Sequence, residues 1–200
     1  MKCLLALTVA SAILLAVPAG SREASTAPAT TNPQDPRARA ADEARRLATI
    51  ASAVLDGDEC MEIVTDRAAE LMFKVDRRDP WIGSDNYDVD RDKFTRTKKL
   101  LIRVSRLSEL KTDCNLWLRT KKRPEKIHVV IRQVNSLSSF YTWGQMIVDA
   151  PKEFLPVLKD GRTVVFAPEG GARVSALAGV RDSLGDVVGV VEACCEIPGP

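Results

Sequence analysis

The sequence predicts an α+β domain in which helices come first and a five-stranded antiparallel sheet follows. Apolar residues recur at helical spacing as far as Leu110, and from Asn115 onward β-branched runs of strand length alternate with Gly, Pro and Asp turns. The closing segment is the clearest example. Val174–Arg181 and Val187–Glu192 are two such runs joined by Asp182-Ser183-Leu184-Gly185-Asp186, the wording of an antiparallel hairpin. Helices followed by strands is the α+β order.

Taken along the chain, Ala44, Leu47, Ala48, Ala51, Val54 and Leu55 fall on one stripe, so Arg37–Leu55 is an amphipathic helix. Asp56-Gly57-Asp58 stops it, with Gly57 taking the left-handed C-cap conformation. Glu59–Lys74 reads as a second helix carrying Ile63, Leu71 and Met72, and Arg77–Asp92 as a polar loop. Asp92–Leu110 is a third helix with Phe94, Leu101, Val104 and Leu107 on its stripe. Asn115–Thr120 and Ile127–Val134 are strands on either side of the basic turn Lys121–Lys126, which contains Pro124. Ser138–Leu158 is mixed, a helix and a loop around Trp143 and Pro151. Arg162–Ala167, Arg173–Arg181 and Val187–Glu196 complete the sheet, Gly170-Gly171 turning between the first two.

The N-terminus sets the expected compartment. Lys2, the apolar stretch Leu4–Val17 and the small residues at Val17-Pro18-Ala19 have the order of a secretory signal peptide cleaved after Ala19. The stretch is shorter than the ~20 residues of a membrane span, and no later segment is apolar enough to cross a bilayer. An uncleaved signal anchor is the competing reading. Cys3 precedes the apolar stretch and so cannot be the lipid-accepting cysteine of a lipoprotein. The expected organisation is a signal peptide at 1–19, a disordered linker at 20–36 with Pro28, Pro33 and Pro36, and one domain at 37–197. The mature chain is expected to be periplasmic or secreted, without a membrane span.

Composition narrows the function. The formal net charge is only +2 and aromatic content is 5%. Basic residues cluster at Arg96–Arg106 and Arg119–Lys126, but stacking platforms for bases are missing, so nucleic acid is not an expected partner. Asp85, Asn86, Asp88, Asp90 and Asp92 suggest calcium, yet counting from Asp88 puts Lys93 where an EF-hand needs Gly and Lys99 where it needs Glu. Capping of the third helix by Asp90 or Asp92 explains the cluster more simply. No Cys-x-x-Cys pair, nucleophile elbow or phosphate-binding glycine loop is present, and the single His128 stands mid-strand. No metal, cofactor or catalytic residue is therefore expected.

A pocket is the remaining candidate. Asn115, Trp117 and Arg119 alternate against Leu116, Leu118 and Thr120, and His128, Val130 and Arg132 against Ile127, Val129 and Ile131. With the more apolar face on the helices, Trp117, Arg119, His128 and Arg132 line a pocket, and Tyr141 and Trp143 serve as its lid. Two guanidiniums beside an indole suit a small carboxylate. A solvent-facing sheet with snorkelling arginines is the alternative.

With these elements in place, the chain resembles a single Cache domain, a PAS-like extracellular sensory module, along most of Arg37–Glu196. Val174–Glu192 and Asp56-Gly57-Asp58 carry the resemblance, supported by the long leading helix, the helix before the first strand, and the strand centred on Trp117 with its hairpin partner. The resemblance implies a PAS-like five-stranded sheet ordered 2-1-5-4-3, packed on the long N-terminal helix and two further helices, with a ligand pocket on the opposite face. It implies sensing of a small molecule, with a membrane receptor or envelope protein downstream. The chain is expected to be a stand-alone, non-enzymatic module without an output domain; an envelope structural or protein-interaction module that keeps the fold without a ligand is the alternative. In the implied order the first and last strands run parallel, which sets Cys114 near Cys60 and away from Cys194 and Cys195. A Cys60–Cys114 disulfide follows from that placement, and buried free thiols are the other reading.

Overall fold

The computed structural model describes residues 35–79, 88–142 and 145–199. The expected signal peptide, the linker up to residue 34, Asp85, Asn86 and Trp143 lie outside them. Helix α1, Pro36–Val54, starts where Asp35 accepts a hydrogen bond from the Arg37 N–H at 2.9 Å and Pro36 occupies the first turn. Its buried residues, Ala40, Ala44, Leu47, Ala48 and Ala51, are mostly small, which lets its backbone lie close to the sheet.

The expected helix Glu59–Lys74 is in fact two, α2 (Gly57–Glu62) and α3 (Asp66–Leu71). The β-branched run Ile63-Val64-Thr65 favours extended backbone, and the Thr65 hydroxyl opens a new helix by accepting the Ala68 N–H at 3.1 Å. Val64 instead forms an isolated bridge with Val89. Helix α4 (Arg91–Ser105) is capped by Asp90, whose Oδ1 accepts the N–H groups of Asp92 and Lys93, both at 3.1 Å. Because α4 ends before Leu107, that residue leaves the apolar stripe and is 56% exposed.

The strands are β1 (Thr112–Arg119), β2 (Lys126–Ile131), β3 (Ile147–Asp149), β4 (Val164–Phe166), β5 (Arg173–Arg181) and β6 (Val187–Glu196). They form one six-stranded antiparallel sheet in the order β3-β2-β1-β6-β5-β4. The five expected strands hold the expected order. The segment read as mixed supplies the sixth, β3, on the open edge of β2, and then a short helix α5 (Leu155–Asp160). The central pair β1 and β6 is antiparallel, not parallel, with Cys114 opposite Ala193 and Thr112 opposite Cys195.

Helices α1 to α4 cover one face of the sheet. Leu47, Ala48, Ile63 and Leu101 meet Cys114, Leu116, Leu118, Val174, Ala176, Val191 and Cys195 there. The other face packs Trp117, Ile127, Val129, Leu177 and Val190 against Phe154, Val157 and Leu158 of α5 and its approach. The basic turn after β1 is neutralised locally, Lys121 by Asp66 at 2.8 Å and Lys126 by Asp149 at 2.7 Å, while the Arg123 guanidinium lies 4.6 Å over the Phe73 ring. Its charges fasten the hairpin to α3 and β3. Among the described residues no helix is long and apolar enough to cross a membrane.

Candidate functional site

A bulge decides where the pocket residues go. Leu116 stands opposite Ile131, but the register then shifts, and Trp117 stands opposite Val129 and Leu118 opposite His128. Val130 and Ile131 consequently both face the helices. His128 therefore shares the helix face with Leu118, and Trp117 shares the other face with Ile127 and Val129. The expected grouping of Trp117 with His128 does not form. Strict alternation fails at one inserted residue, and everything beyond it changes side.

On the Trp117 face the sheet is filled by the protein itself. The indole meets Phe154 edge-on at 5.6 Å between centroids, and Phe154 meets Phe140 at 4.9 Å. Beside them lies Glu192, in the middle of β6 and 0% exposed. Its Oε2 accepts from Ser138 Oγ (2.7 Å), Trp117 Nε1 (3.1 Å) and Asn115 Nδ2 (3.4 Å), and its Oε1 from Ser139 N and Ser175 Oγ, both at 2.8 Å. No Lys or Arg pairs with it among the described residues; neutral donors alone solvate the carboxylate.

These contacts form a fastening. The connection 132–142 between β2 and β3 crosses this face as a strap, and three buried polar side chains hold it. Asp113 accepts from Leu137 N at 2.8 Å and Asn135 Nδ2 at 3.0 Å. Asn115 accepts from Gln133 N at 3.3 Å and donates to the Leu137 carbonyl at 2.7 Å. Glu192 takes Ser138 and Ser139. Burial pushes the Asp113 carboxyl above its usual range, and its bonds to Leu137 and Asn135 oppose the shift. Sequence reading misses this hub, because Glu192 and Ser175 look like ordinary hairpin residues. The one available signal is a lone acidic residue inside an otherwise apolar strand, Val187–Cys195.

The expected pocket residues thus separate. Trp117 is core and a donor to Glu192. Arg132 lies on the strap with its guanidinium 4.0 Å over the Tyr141 ring, a cation–π pair. His128, 2% exposed, is held by burial down to about 4 and is neutral at physiological pH. Of the described ones, Arg119 reaches an open groove. It lines a groove of about 450 Å³ with Met61, Thr120, Lys121, Pro124, Leu158, Lys159, Asp186, Val187 and Val188. Arg119 Nη2 donates to the Leu158 carbonyl at 2.7 Å, its Nε–H is buried without an acceptor, and no carboxylate among the described residues pairs with it. The groove sets this guanidinium, with Lys121 and Lys159, among apolar residues and a single acidic one, Asp186, a cationic balance that suits an anionic group.

The described cysteines are buried and free, Cys60 and Cys114 included. The ground for pairing those two falls with the antiparallel β1–β6 register, which puts Cys114 beside Cys195. Burial pushes the Cys60 and Cys195 thiols up to about 12, Cys194 to about 11, and Cys114 higher still. They are therefore thiols, not thiolate nucleophiles, at neutral pH. Among the described residues no three His, Cys, Asp or Glu side chains converge as a metal centre.

Comparison with known proteins gives little beyond this geometry. No family model matches the chain, and no curated protein matches it. A solved structure titled "Structure of the GAF domain" aligns over 74% of this chain and 81% of that chain, at a TM-score of 0.39 and 11% identity.

Proposed function

We propose that the chain is an exported, non-enzymatic Cache-like domain that binds a small carboxylate, and that the ligand sits in the groove at Arg119 instead of on the sheet face. The Cache-like reading rests on the sequence resemblance at Val174–Glu192 and Asp56–Asp58. The choice of groove rests on one observation: Arg119 is half-buried, is oriented by the Leu158 carbonyl and has no carboxylate partner among the described residues. A partly desolvated guanidinium without a counter-charge gains from an incoming carboxylate. The groove has the volume of a small-molecule site. Reporting of the bound state would fall to a membrane receptor or envelope protein.

A thermal-shift screen with carboxylates, amino acids and amines tests this. A ligand present at 100 times its Kd stabilises the fold by about 2.7 kcal/mol. Carboxylates should raise Tm; Arg119→Ala should abolish the shift, and Arg132→Ala, on the strap, should keep it. Binding that survives Arg119→Ala would remove the groove from the reading.

The second reading is an envelope module that keeps the fold for protein contacts and takes no ligand. The filled sheet face favours it, since Trp117, Phe140, Phe154 and the bonded Glu192 occupy the side on which the resemblance implies a pocket. Silence across the whole panel, with a captured envelope partner, would select it.

A further inference from the structure

Under the Arg119 groove, sharing Met61, Arg119, Thr120 and Lys121 with it, lies a second and much smaller cavity of about 10 Å³. That is roughly the room of one water molecule. Its wall brings together Met61 of α2, Met72 just beyond α3 and His128 of β2, with Val64, Ala69 and Leu118 completing an apolar surround. Two thioethers and an imidazole come from three separate elements. Among the described residues no carboxylate or thiol lines the cavity.

That donor set is selective. Mg²⁺ and Ca²⁺ require several oxygen ligands, and structural Zn²⁺ takes thiolate, imidazole or carboxylate. Thioether sulfur is a soft, neutral donor suited to Cu(I), and imidazole also ligates copper. His128 fits the role by position: its strand β2 sets it in the same cavity wall as the two methionines. His128 also makes an interaction within the protein. Metal-ligating histidines commonly keep a partner on their second ring nitrogen. Two cationic side chains also line the cavity, and both are engaged: Lys121 with Asp66 at 2.8 Å and Arg119 with the Leu158 carbonyl at 2.7 Å. Their positive charge opposes a divalent ion more than a monovalent one.

We propose that Met61, Met72 and His128 form a binding site for a soft monovalent metal ion, Cu(I), reached through the Arg119 groove. The site is separate from the carboxylate reading: it uses neutral donors and does not need an anion in the groove.

Ag(I), a redox-inert stand-in for Cu(I), is titrated into the full mature chain carrying ¹³C-methyl methionine. At one equivalent the Met61 and Met72 methyl resonances should shift together while Met146 stays in place. The affinity, read by competition with a Cu(I) chelator under anaerobic conditions, should fall roughly tenfold to hundredfold in Met61→Leu and in Met72→Leu, at least the loss typical of disturbing a metal's ligand support. Both substitutions conserve volume and should leave the urea midpoint nearly unchanged, which separates lost ligation from lost folding. His128→Gln should weaken binding as well. Undiminished metal uptake in the Met61→Leu/Met72→Leu double variant would assign the ion to the buried thiols and overturn the proposal. So would unshifted Met61 and Met72 methyls at saturation.

Discussion

Glu192→Gln is the sharpest perturbation of this structure, because it changes one atom in a fully packed site. An amide has one acceptor and one donor where the carboxylate has two acceptors. If the NH₂ takes the Oε1 position it faces the Ser139 backbone N–H; at Oε2 it faces the Trp117 indole N–H and the Asn115 amide. The Ser138 and Ser175 hydroxyls can turn to accept, but these N–H groups cannot. Asn115 cannot flip to help, since its Nδ2 also holds the Leu137 carbonyl and its Oδ1 the Gln133 N–H. At least one buried N–H is left unpaired, at about 1–3 kcal/mol, and the surviving bonds lose their charge assistance. Relief from burying a charge offsets part of this. The expected net loss is about 2–4 kcal/mol in urea unfolding, or roughly 5–12 °C in Tm for a domain of this size. Hydrogen exchange should locate the damage in the strap, at the Leu137 and Ser139 amides. A Gln variant within about 0.5 kcal/mol of the parent, with Ser139 still protected, would refute the hub.

Other outcomes follow from single features. The unfolded chain protonates His128 near 6.5 while the folded chain holds it down to about 4, so stability should fall as pH drops through that window and level off below it, by at most about 3 kcal/mol; an identical acid slope in His128→Asn would remove the assignment. The thiols of Cys60, Cys114, Cys194 and Cys195 should resist Ellman's reagent at pH 8 in the folded state and all react in denaturant, whereas only two reacting there would restore a disulfide. Gly189→Ala places a Cβ 2.6 Å from both the Trp117 carbonyl and Leu118 Cδ2 and should cost about 2–4 kcal/mol by urea titration. Gly179→Ala, with its nearest contacts at 3.2 Å, should cost clearly less, and equal losses would contradict the packing.

The fold is more legible in the sequence than the site, for physical reasons. Strand positions follow from runs of β-branched residues and from turns that few residue types can make, and their order in the sheet from the Cache resemblance. Helix α1 follows from its Ala and Leu stripe. What fails depends on single residues. Thr65 splits one expected helix in two by offering a side-chain cap. One bulged residue in β2 moves His128 to the opposite face, which alternation in a single strand cannot reveal, because the shift is a property of the pair. Glu192 is invisible as a hub because its donors, Asn115, Trp117, Ser138, Ser139 and Ser175, are brought from three elements by the tertiary fold. Arg119 lines an open groove at the end of its strand, while the same face buries Trp117 beneath α5.

The two most recognisable stretches of sequence turn out to be one joint. Gly57 is not a left-handed helix stop. It opens α2, with Asp56 Oδ1 accepting from Asp58 N at 2.9 Å and Glu59 N at 3.2 Å. Its missing side chain lets the backbone run against the Arg181 carbonyl, with Asp182 N only 2.6 Å from where a Cβ would stand. Asp58 Oδ2 then accepts from Ser183 N at 3.0 Å, and Asp182 Oδ1 closes the hairpin turn on Leu184 N and Asp186 N. Asp56-Gly57-Asp58 and Asp182–Asp186 thus lock together, and each also leads into a wall of the Arg119 groove: α2 supplies Met61, and the hairpin supplies Asp186, Val187 and Val188. Residues at such a joint are narrowly specified, because only glycine permits the approach and only a few short polar side chains, Asp, Asn, Ser or Thr, reach the exposed N–H groups. The groove's lining carries no comparable backbone constraint. That asymmetry explains why the sequence names the frame of the candidate site more readily than its contents.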